Sequence, residues 1–290
     1  MKKILVTGAN SYVGKSLKNW LDQYPYAYSL DAISVRGEAW KEKSFSDYNI
    51  VFHVAGIAHV SSNPKMEEQY YKINRDLTVE VAEKAKNDGV KQFIFMSSII
   101  VYGESSKESK VIDSKTQPNP SDFYGKSKLQ AEEGISLLED EKFKVVIIRP
   151  PMIYGKDSKG NYPKLAKVAR KLPIFPNVDN QRSILHINNL SEFIRLMIEH
   201  EERGLFFPQN NEYVKTSDIV KTISEVHGKK IRLIRTFNPI LIPLVGKIKI
   251  FNKVFGNLVY EMKISDYKKN YRVHDFKSSI EETELGSSKK

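Results

Sequence analysis

The chain has 290 residues, 40% hydrophobic and 28% charged, with 15 glycines, 12 prolines and no cysteine. That composition is globular rather than disordered or collagenous, and the lack of thiols excludes a disulfide framework, a thiolate metal site and a catalytic cysteine. A formal net charge of +11 suits nucleic acid, anionic lipid or a phosphorylated substrate; with no long basic run interleaved with aromatics, nucleic acid is not the expected partner. Met1-Lys2-Lys3 passes straight into Ile4-Leu5-Val6 without a signal-peptide core, which reads as a cytoplasmic protein.

Short β-branched runs predict strands over residues 3–7, 32–35, 50–54, 92–97 and 145–149, and helical periods over 13–21, 70–87 and 124–139 lie between them. Asp88-Gly89 closes the second helix. Strand–helix alternation of this kind means a doubly wound α/β layer around a parallel sheet. Beyond Tyr154 the rhythm changes to Gly, Asn and Pro punctuation, and a smaller lobe is expected to start there. A strand over 184–187 and a helix over 188–201 would rejoin the first layer. The expected division is therefore interleaved: a Rossmann-type dinucleotide-binding domain, 1–154 plus about 184–203, and a C-terminal substrate lobe, about 155–183 and 204–290, with a helix over 217–227. The most apolar stretch, 237–246, is broken by Pro239 and Pro243 and is too short to span a membrane.

Three motifs carry chemistry. The turn Gly8-Ala9-Asn10-Ser11-Tyr12-Val13-Gly14 joins the first strand to the first helix, where small residues and a helix N-terminus suit a pyrophosphate. Tyr124 and Lys128, four residues apart in Tyr-Gly-Lys-Ser-Lys, share one helix face; an ammonium nearby would bring the phenol, which titrates near ~10 in water, towards working pH. The buried run Phe93-Ile94-Phe95-Met96 ends in the hydroxyls of Ser97 and Ser98. The six histidines show no ligand spacing, so no metal site is expected.

With Phe52-His53-Val54-Ala55-Gly56 and Ser97-Ser98-Ile99-Ile100-Val101-Tyr102-Gly103 added, the sequence resembles the extended short-chain dehydrogenases, over nearly the whole chain. The resemblance implies that Ser98 orients the sugar oxygen, Tyr124 is the acid or base and Lys128 also holds the nicotinamide ribose. It implies that Gly8, Asn10, Ser11, Tyr12, Val13, Gly14, Ala55, Gly56, Asn74 and Pro151 border the cofactor. Ser11 departs from the family's usual middle glycine. At the end of the second strand Arg36 favours NADP and Asp31 favours NAD, with NADP slightly preferred. Arg182, in Asn180-Gln181-Arg182-Ser183, resembles the arginine that meets the diphosphate of a UDP-sugar; His59 and Asn161 could touch sugar or uracil, and Arg272 is a poorer second diphosphate candidate.

Relatives that eliminate water place Asp-Glu where this chain has Ile99-Ile100, and those that invert C3 and C5 use a cysteine. What remains is hydride chemistry at C4. The resemblance is to bacterial proteins of surface-polysaccharide synthesis, so the expected reaction is reduction of the 4-keto group of a UDP-linked 6-deoxy-N-acetylhexosamine, with a UDP-sugar 4-epimerase as alternative and a catalytically inactive dinucleotide sensor as a reading of another class. Related enzymes pair through four-helix interfaces, for which residues 74–86 and 124–138 are suited in a homodimer. Residues 237–262 have the look of a basic amphipathic helix at a membrane surface; the preferred reading is a lobe helix with one buried face and solvated lysines.

Overall fold

The computed structural model describes residues 1–58, 63–106 and 111–286. The chain begins with β1 (Lys2–Thr7), α1 (Tyr12–Leu21), β2 (Tyr28–Ile33) and β3 (Ile50–His53). Next come α2 (Glu67–Tyr70), a π-helical turn over Tyr71–Asp76, α3 (Leu77–Asn87), β4 (Gln92–Met96), a 3-10 turn over Ile99–Tyr102, and β5 (Val111–Ile112). Then follow α4 (Phe123–Ser136), β6 (Lys144–Ile148), β7 (Met152–Tyr154), α5 (Tyr162–Lys171), β8 (Ile174–Pro176) and β9 (Ile184–His186). The last elements are α6 (Ile187–Glu199), β10 (Gly204–Phe206), α7 (Thr216–Val226), β11 (Arg232–Ile234), α8 (Asn238–Leu241), α9 (Lys249–Phe255), β12 (Val259–Tyr260) and α10 (Phe276–Leu285).

Six strands form one parallel sheet in the order β10-β6-β4-β3-β1-β2, the doubly wound arrangement the alternating pattern implies. Its central strands are apolar on both faces: Ile4, Leu5 and Val6 of β1 and Phe93, Ile94 and Phe95 of β4 are fully buried, as a sheet covered by helices on both sides requires. The chain leaves β1 for β2 at one edge and returns to β3 on the other side of β1. This reversal leaves a crevice at the carboxyl ends of β1 and β3, where ligands bind in such sheets.

Contacts divide the chain into two compact units, Met1–Gly103, Gln117–Pro150 and Leu190–Pro208 forming the first, and Glu104–Thr116, Pro151–Asn189 and Gln209–Lys290 the second. The core of the first includes Leu5, Val51, Val81, Phe93, Ala131 and Phe143. In the second, three two-stranded pairs, β7 with β9, β8 with β11 and β5 with β12, surround a core built on Tyr154, Tyr162, Phe175, Val220 and Phe255.

The strand expected to rejoin the first layer, β9, instead pairs with β7 outside the six-stranded sheet, and two elements of the first unit also differ from expectation. The second strand is Tyr28–Ile33, not 32–35: it is an edge strand that leaves Asp31 and Ala32 exposed, so it lacks the continuous apolar run that marks its neighbours. The helix expected over 70–87 is interrupted by the π turn, which inserts a residue that an average 3.6 period conceals.

Candidate active site

The turn after β1 is built for close approach. Gly8 has φ +112°, and a Cβ there would stand 2.9 Å from the Ala55 backbone nitrogen, so only glycine lets this turn meet the one after β3. Ser11 is the N-cap of α1, its Oγ accepting from the Gly14 N–H at 3.0 Å; the residue that replaces the expected glycine thus has its own task in starting the helix. A Cβ on Gly14 would stand 2.9 Å from Val6 Cγ1, which is how tightly α1 lies on β1. Asn10 is exposed at the mouth of the turn, and Tyr12 and Val13 are half-buried in the first helical turn. Together the helix start and the bare glycine edge fit a pyrophosphate.

At the end of β2 the two candidate cofactor selectors separate. Asp31 lies inside the strand, and its carboxylate accepts from the Tyr48 hydroxyl at 2.8 Å. Arg36 is exposed, three residues beyond the strand. The strand ends earlier than expected, but the early ending does not leave Asp31 at its tip.

Tyr124 and Lys128 stand one turn apart on α4. Asp122 caps that helix, accepting from Gly125 N–H at 2.8 Å, and Gly125 allows it to close on the turn that carries Ser98: a Cβ would lie 2.9 Å from the Ile100 carbonyl oxygen. Ser98 caps the Ile99–Tyr102 turn, its Oγ accepting from Ile100 N–H at 3.3 Å, and hydrogen-bonds with Tyr124. Burial pushes the Tyr124 phenol up to about 12, with the Ser98 bond opposing. This corrects the expectation of a phenol drawn down by Lys128. The Lys128 ammonium instead donates to the Met96 carbonyl at 2.9 Å and lies 4.6 Å over the Phe95 ring. Burial brings it down to about 8, with Glu132 opposing.

Asn74 is fully buried in the π turn. Its Oδ1 accepts from Ile57 N–H at 2.9 Å, and its Nδ2 donates to Ile57 O at 3.0 Å and Ser127 Oγ at 3.3 Å. Gly56 sits against it, a Cβ there coming 2.9 Å from Asn74 Oδ1 and 3.5 Å from Lys128 Nζ. So Gly8, Ala55, Gly56, Asn74 and Lys128 meet around the carboxyl ends of β1, β3 and β4. Lys126 on the same helix is exposed.

Sequence reasoning missed Glu132 and the bonding network behind these residues. Glu132, one turn beyond Lys128 and buried, accepts from Ser97 Oγ and pairs with Arg149, whose NH1 donates to Tyr102 Oη at 2.6 Å. The repeat of Tyr124, Lys128 and Glu132 at intervals of four was the available signal. His53, also buried, bridges Thr7 Oγ1 at 2.7 Å from Nδ1 and Thr78 Oγ1 at 3.1 Å from Nε2. Thr78 donates its proton to the Asn74 carbonyl at 2.8 Å, so Nε2 must donate to Thr78 and Nδ1 accept from Thr7. Burial holds this imidazole neutral, with a pKa of about 3, and nearby Lys128 acts in the same direction.

In the second unit, Arg182 is half-buried, and its guanidinium donates to Gly256 O at 3.2 Å, Ser105 Oγ at 3.0 Å and Asn252 O at 3.1 Å. No carboxylate pairs with it among the described residues, and burial lowers its pKa to about 10. Arg272 differs, being paired with Asp266 at 3.3 Å and bonded to the Gln209 and Ser265 carbonyls. Asn161 precedes α5 without capping it by its side chain, and Pro151 is buried just before β7. His59 lies outside the described residues. No group of three or more histidine, aspartate or glutamate side chains suited to a metal occurs among the described residues.

Comparisons with known proteins place the chain among relatives of known activity. UDP-glucose 4-epimerase of Vibrio cholerae is 30% identical over 278 residues, covering 88% of this chain and 83% of that protein. UDP-2-acetamido-2,6-β-L-arabino-hexul-4-ose reductase of Pseudomonas aeruginosa is 25% identical over 210 residues, 68% of this chain and 49% of that protein. The structure of RMD from Pseudomonas aeruginosa complexed with NADPH has the same fold, with a TM-score of 0.77 at 18% identity, covering 98% of this chain and 99% of that one. Residues 4–207 match the profile of the NAD dependent epimerase/dehydratase family, and the chain is a member of that family, whose related proteins include nucleotide-sugar epimerases and reductases using NAD or NADP.

Proposed function

We propose that the protein reduces the 4-keto group of a UDP-linked 6-deoxy-N-acetylhexosamine, an intermediate of polysaccharide synthesis, at the expense of NADPH. The observation that carries this reading is the arrangement of Ser98, Tyr124 and Lys128, with Arg36 exposed just beyond β2 where it suits the 2′-phosphate of a reducing cofactor; reduction takes a proton from Tyr124, whereas epimerisation begins by removing one from the sugar hydroxyl.

The residues around the crevice fit a dinucleotide, with Gly8, Ser11 and Gly14 shaping the pyrophosphate turn and Asn74, Gly56 and Lys128 bordering the nicotinamide end. When bound, the reduced nicotinamide would supply hydride to C4. Tyr124 Oη then gives its proton to the developing alkoxide, and Ser98 Oγ, fixed by the Ile100 N–H and the phenol, holds the same oxygen in place. Lys128, its Nζ held by Met96 O, suits the nicotinamide ribose. Arg36, exposed just beyond β2, suits a 2′-phosphate, and Arg182, a cation with no carboxylate partner among the described residues, suits the diphosphate of the substrate. Buried Ile99 and its neighbour Ile100 offer no acid–base pair for dehydration.

The second reading, a UDP-glucose or UDP-N-acetylglucosamine 4-epimerase with recycled NAD, is favoured by the 30% identity to the Vibrio enzyme. Incubation with the 4-keto sugar and NADPH separates the two. One NADPH oxidised per keto sugar supports reduction; inert NADPH, together with interconversion of the 4-hydroxy epimers, supports the second reading.

A further inference from the structure

The second unit carries a segment whose charge and exposure are unlike the rest of the chain. Between Glu225 and Glu261 there is no acidic residue, and there are seven lysines and arginines. A lobe helix with one buried face would present only solvated lysines outward, but the segment does not form such a helix. It divides around Pro243 and Gly246 into α8, which opens on Pro239, a 3-10 turn over Ile242–Leu244 and α9, and it is apolar on two sides. Inward, Val245 and Phe255 are buried in the core, and Leu241, Ile242, Phe251 and Val254 pack against it. Outward, Ile240 and Ile250 are 68% and 65% exposed, Phe237 44% and Ile248 41%.

Four large apolar side chains exposed within fourteen residues of sequence are not the scattered singles of an ordinary surface. Lys247 and Lys253, both exposed, lie among them. Asp179, near Arg235, is already paired with Lys215 at 2.7 Å. Exposed isoleucines and a phenylalanine interspersed with ammonium groups that no carboxylate pairs among the described residues are what the boundary between headgroups and acyl chains selects: the apolar tips enter the lipid and the lysines meet its phosphates. Nucleic acid would reward the charge but not the isoleucines.

We infer that residues 237–253 form a peripheral docking surface for an anionic lipid bilayer. The shallow insertion of short helix tips is consistent with the absence of any helix long and apolar enough to span among the described residues. Because the surface lies on the second unit and uses no residue assigned to the reaction, it stands or falls independently of the proposed chemistry.

Vesicle flotation of the full-length protein tests it. Vesicles of phosphatidylglycerol and phosphatidylethanolamine should carry the protein upward at ~0.1 M salt, and vesicles of phosphatidylcholine alone should not. Lys247→Gln with Lys253→Gln should weaken partitioning about thirtyfold, at roughly 1 kcal/mol per lysine, and Ile240→Asn with Ile250→Asn by about tenfold or more. Since the chain has no cysteine, Ile248→Cys can carry a single environment-sensitive fluorophore. Its emission should shift to the blue on anionic vesicles, which reads insertion directly even if the double variants fold poorly. Protein left at the bottom of the gradient with an unshifted label overturns the inference. So does binding that the paired substitutions leave unchanged, or an apolar patch that instead joins two copies, seen by light scattering as a dimer that the isoleucine variants dissociate.

Discussion

Each reacting group is set by what lies behind it. Tyr124→Phe removes the proton donor while leaving the ring in contact with Tyr70, whose centroid is 5.8 Å away. The expected result is a loss of about 10²–10⁴ in kcat with NADPH affinity retained, measured by stopped-flow and by titration. Lys128 supplies the pH signature. Its ammonium titrates at about 8, and kcat/KM reports groups of the free enzyme. The profile for keto-sugar reduction should therefore be level below pH 8 and fall above it, and Lys128→Met should lose that alkaline limb along with most of the rate. Arg182→Ala should raise KM for the UDP-sugar by roughly 10- to 100-fold, the scale of charge-assisted hydrogen bonds, with little change in kcat. That Tyr124 and Lys128 share a helix face, and that Ser98 ends a buried strand, could be read from spacing alone. The raised pKa of Tyr124 could not, because it depends on how much of the ring burial covers, which no interval in the sequence encodes. Glu132 escaped notice for a related reason: a carboxylate on a helix looks solvated until the fold buries it against Arg149.

The elements themselves were legible where their pattern was extreme. Strands β1, β3, β4 and β6 are unbroken apolar runs and fall within a residue or two of expectation. Edge strand β2 was displaced because the β-branched Ile33 and Val35 mark its end rather than its middle, and Val35 is buried without being in the sheet. The π turn over Tyr71–Asp76 leaves no mark in an averaged period, yet it is what turns Asn74 inward to grip the Ile57 backbone. The junction between α4 and the Ser98 turn has a sharp test. Gly125→Ala would push a methyl to within 2.9 Å of Ile100 O and 2.8 Å of Pro120 Cβ. A destabilisation of about 1–3 kcal/mol is expected, with a larger relative loss of activity than of thermal stability, because the helix carrying Tyr124 must tilt away from Ser98. Equal stability of the variant and the parent would show that the two segments are looser than the packing implies.

For the molecule as a whole, both compact units hold a histidine that burial keeps neutral, His53 in the first and His186 in the second, each with a pKa of about 3. The unfolded chain binds a proton at each near ~6.5, so between pH 6.5 and 3 the unfolded state holds more protons than the folded state. Stability is then fully present above pH 6.5 and declines as the pH falls, by about 1.4 kcal/mol per pH unit for each histidine. Denaturant titrations at pH 7, 6 and 5 should show this decline, and His53→Gln should reduce its slope by about one proton. The parallel sheet and the crevice at its switch point follow from alternation along the sequence, whereas the identity of the sugar is not encoded in any periodic pattern.

The transfer of hydrogen itself is the most direct measurement. Reduction of the UDP-linked 4-keto-6-deoxy-N-acetylhexosamine with NADPH deuterated at C4 of the nicotinamide, followed by proton NMR of the sugar, should give a product carrying one deuterium at C4, with Tyr124→Phe forming almost none. A product free of deuterium, or C4 epimers of UDP-N-acetylglucosamine exchanging with no net use of NADPH, would contradict the account and identify the hydride as one borrowed from the sugar and returned to it.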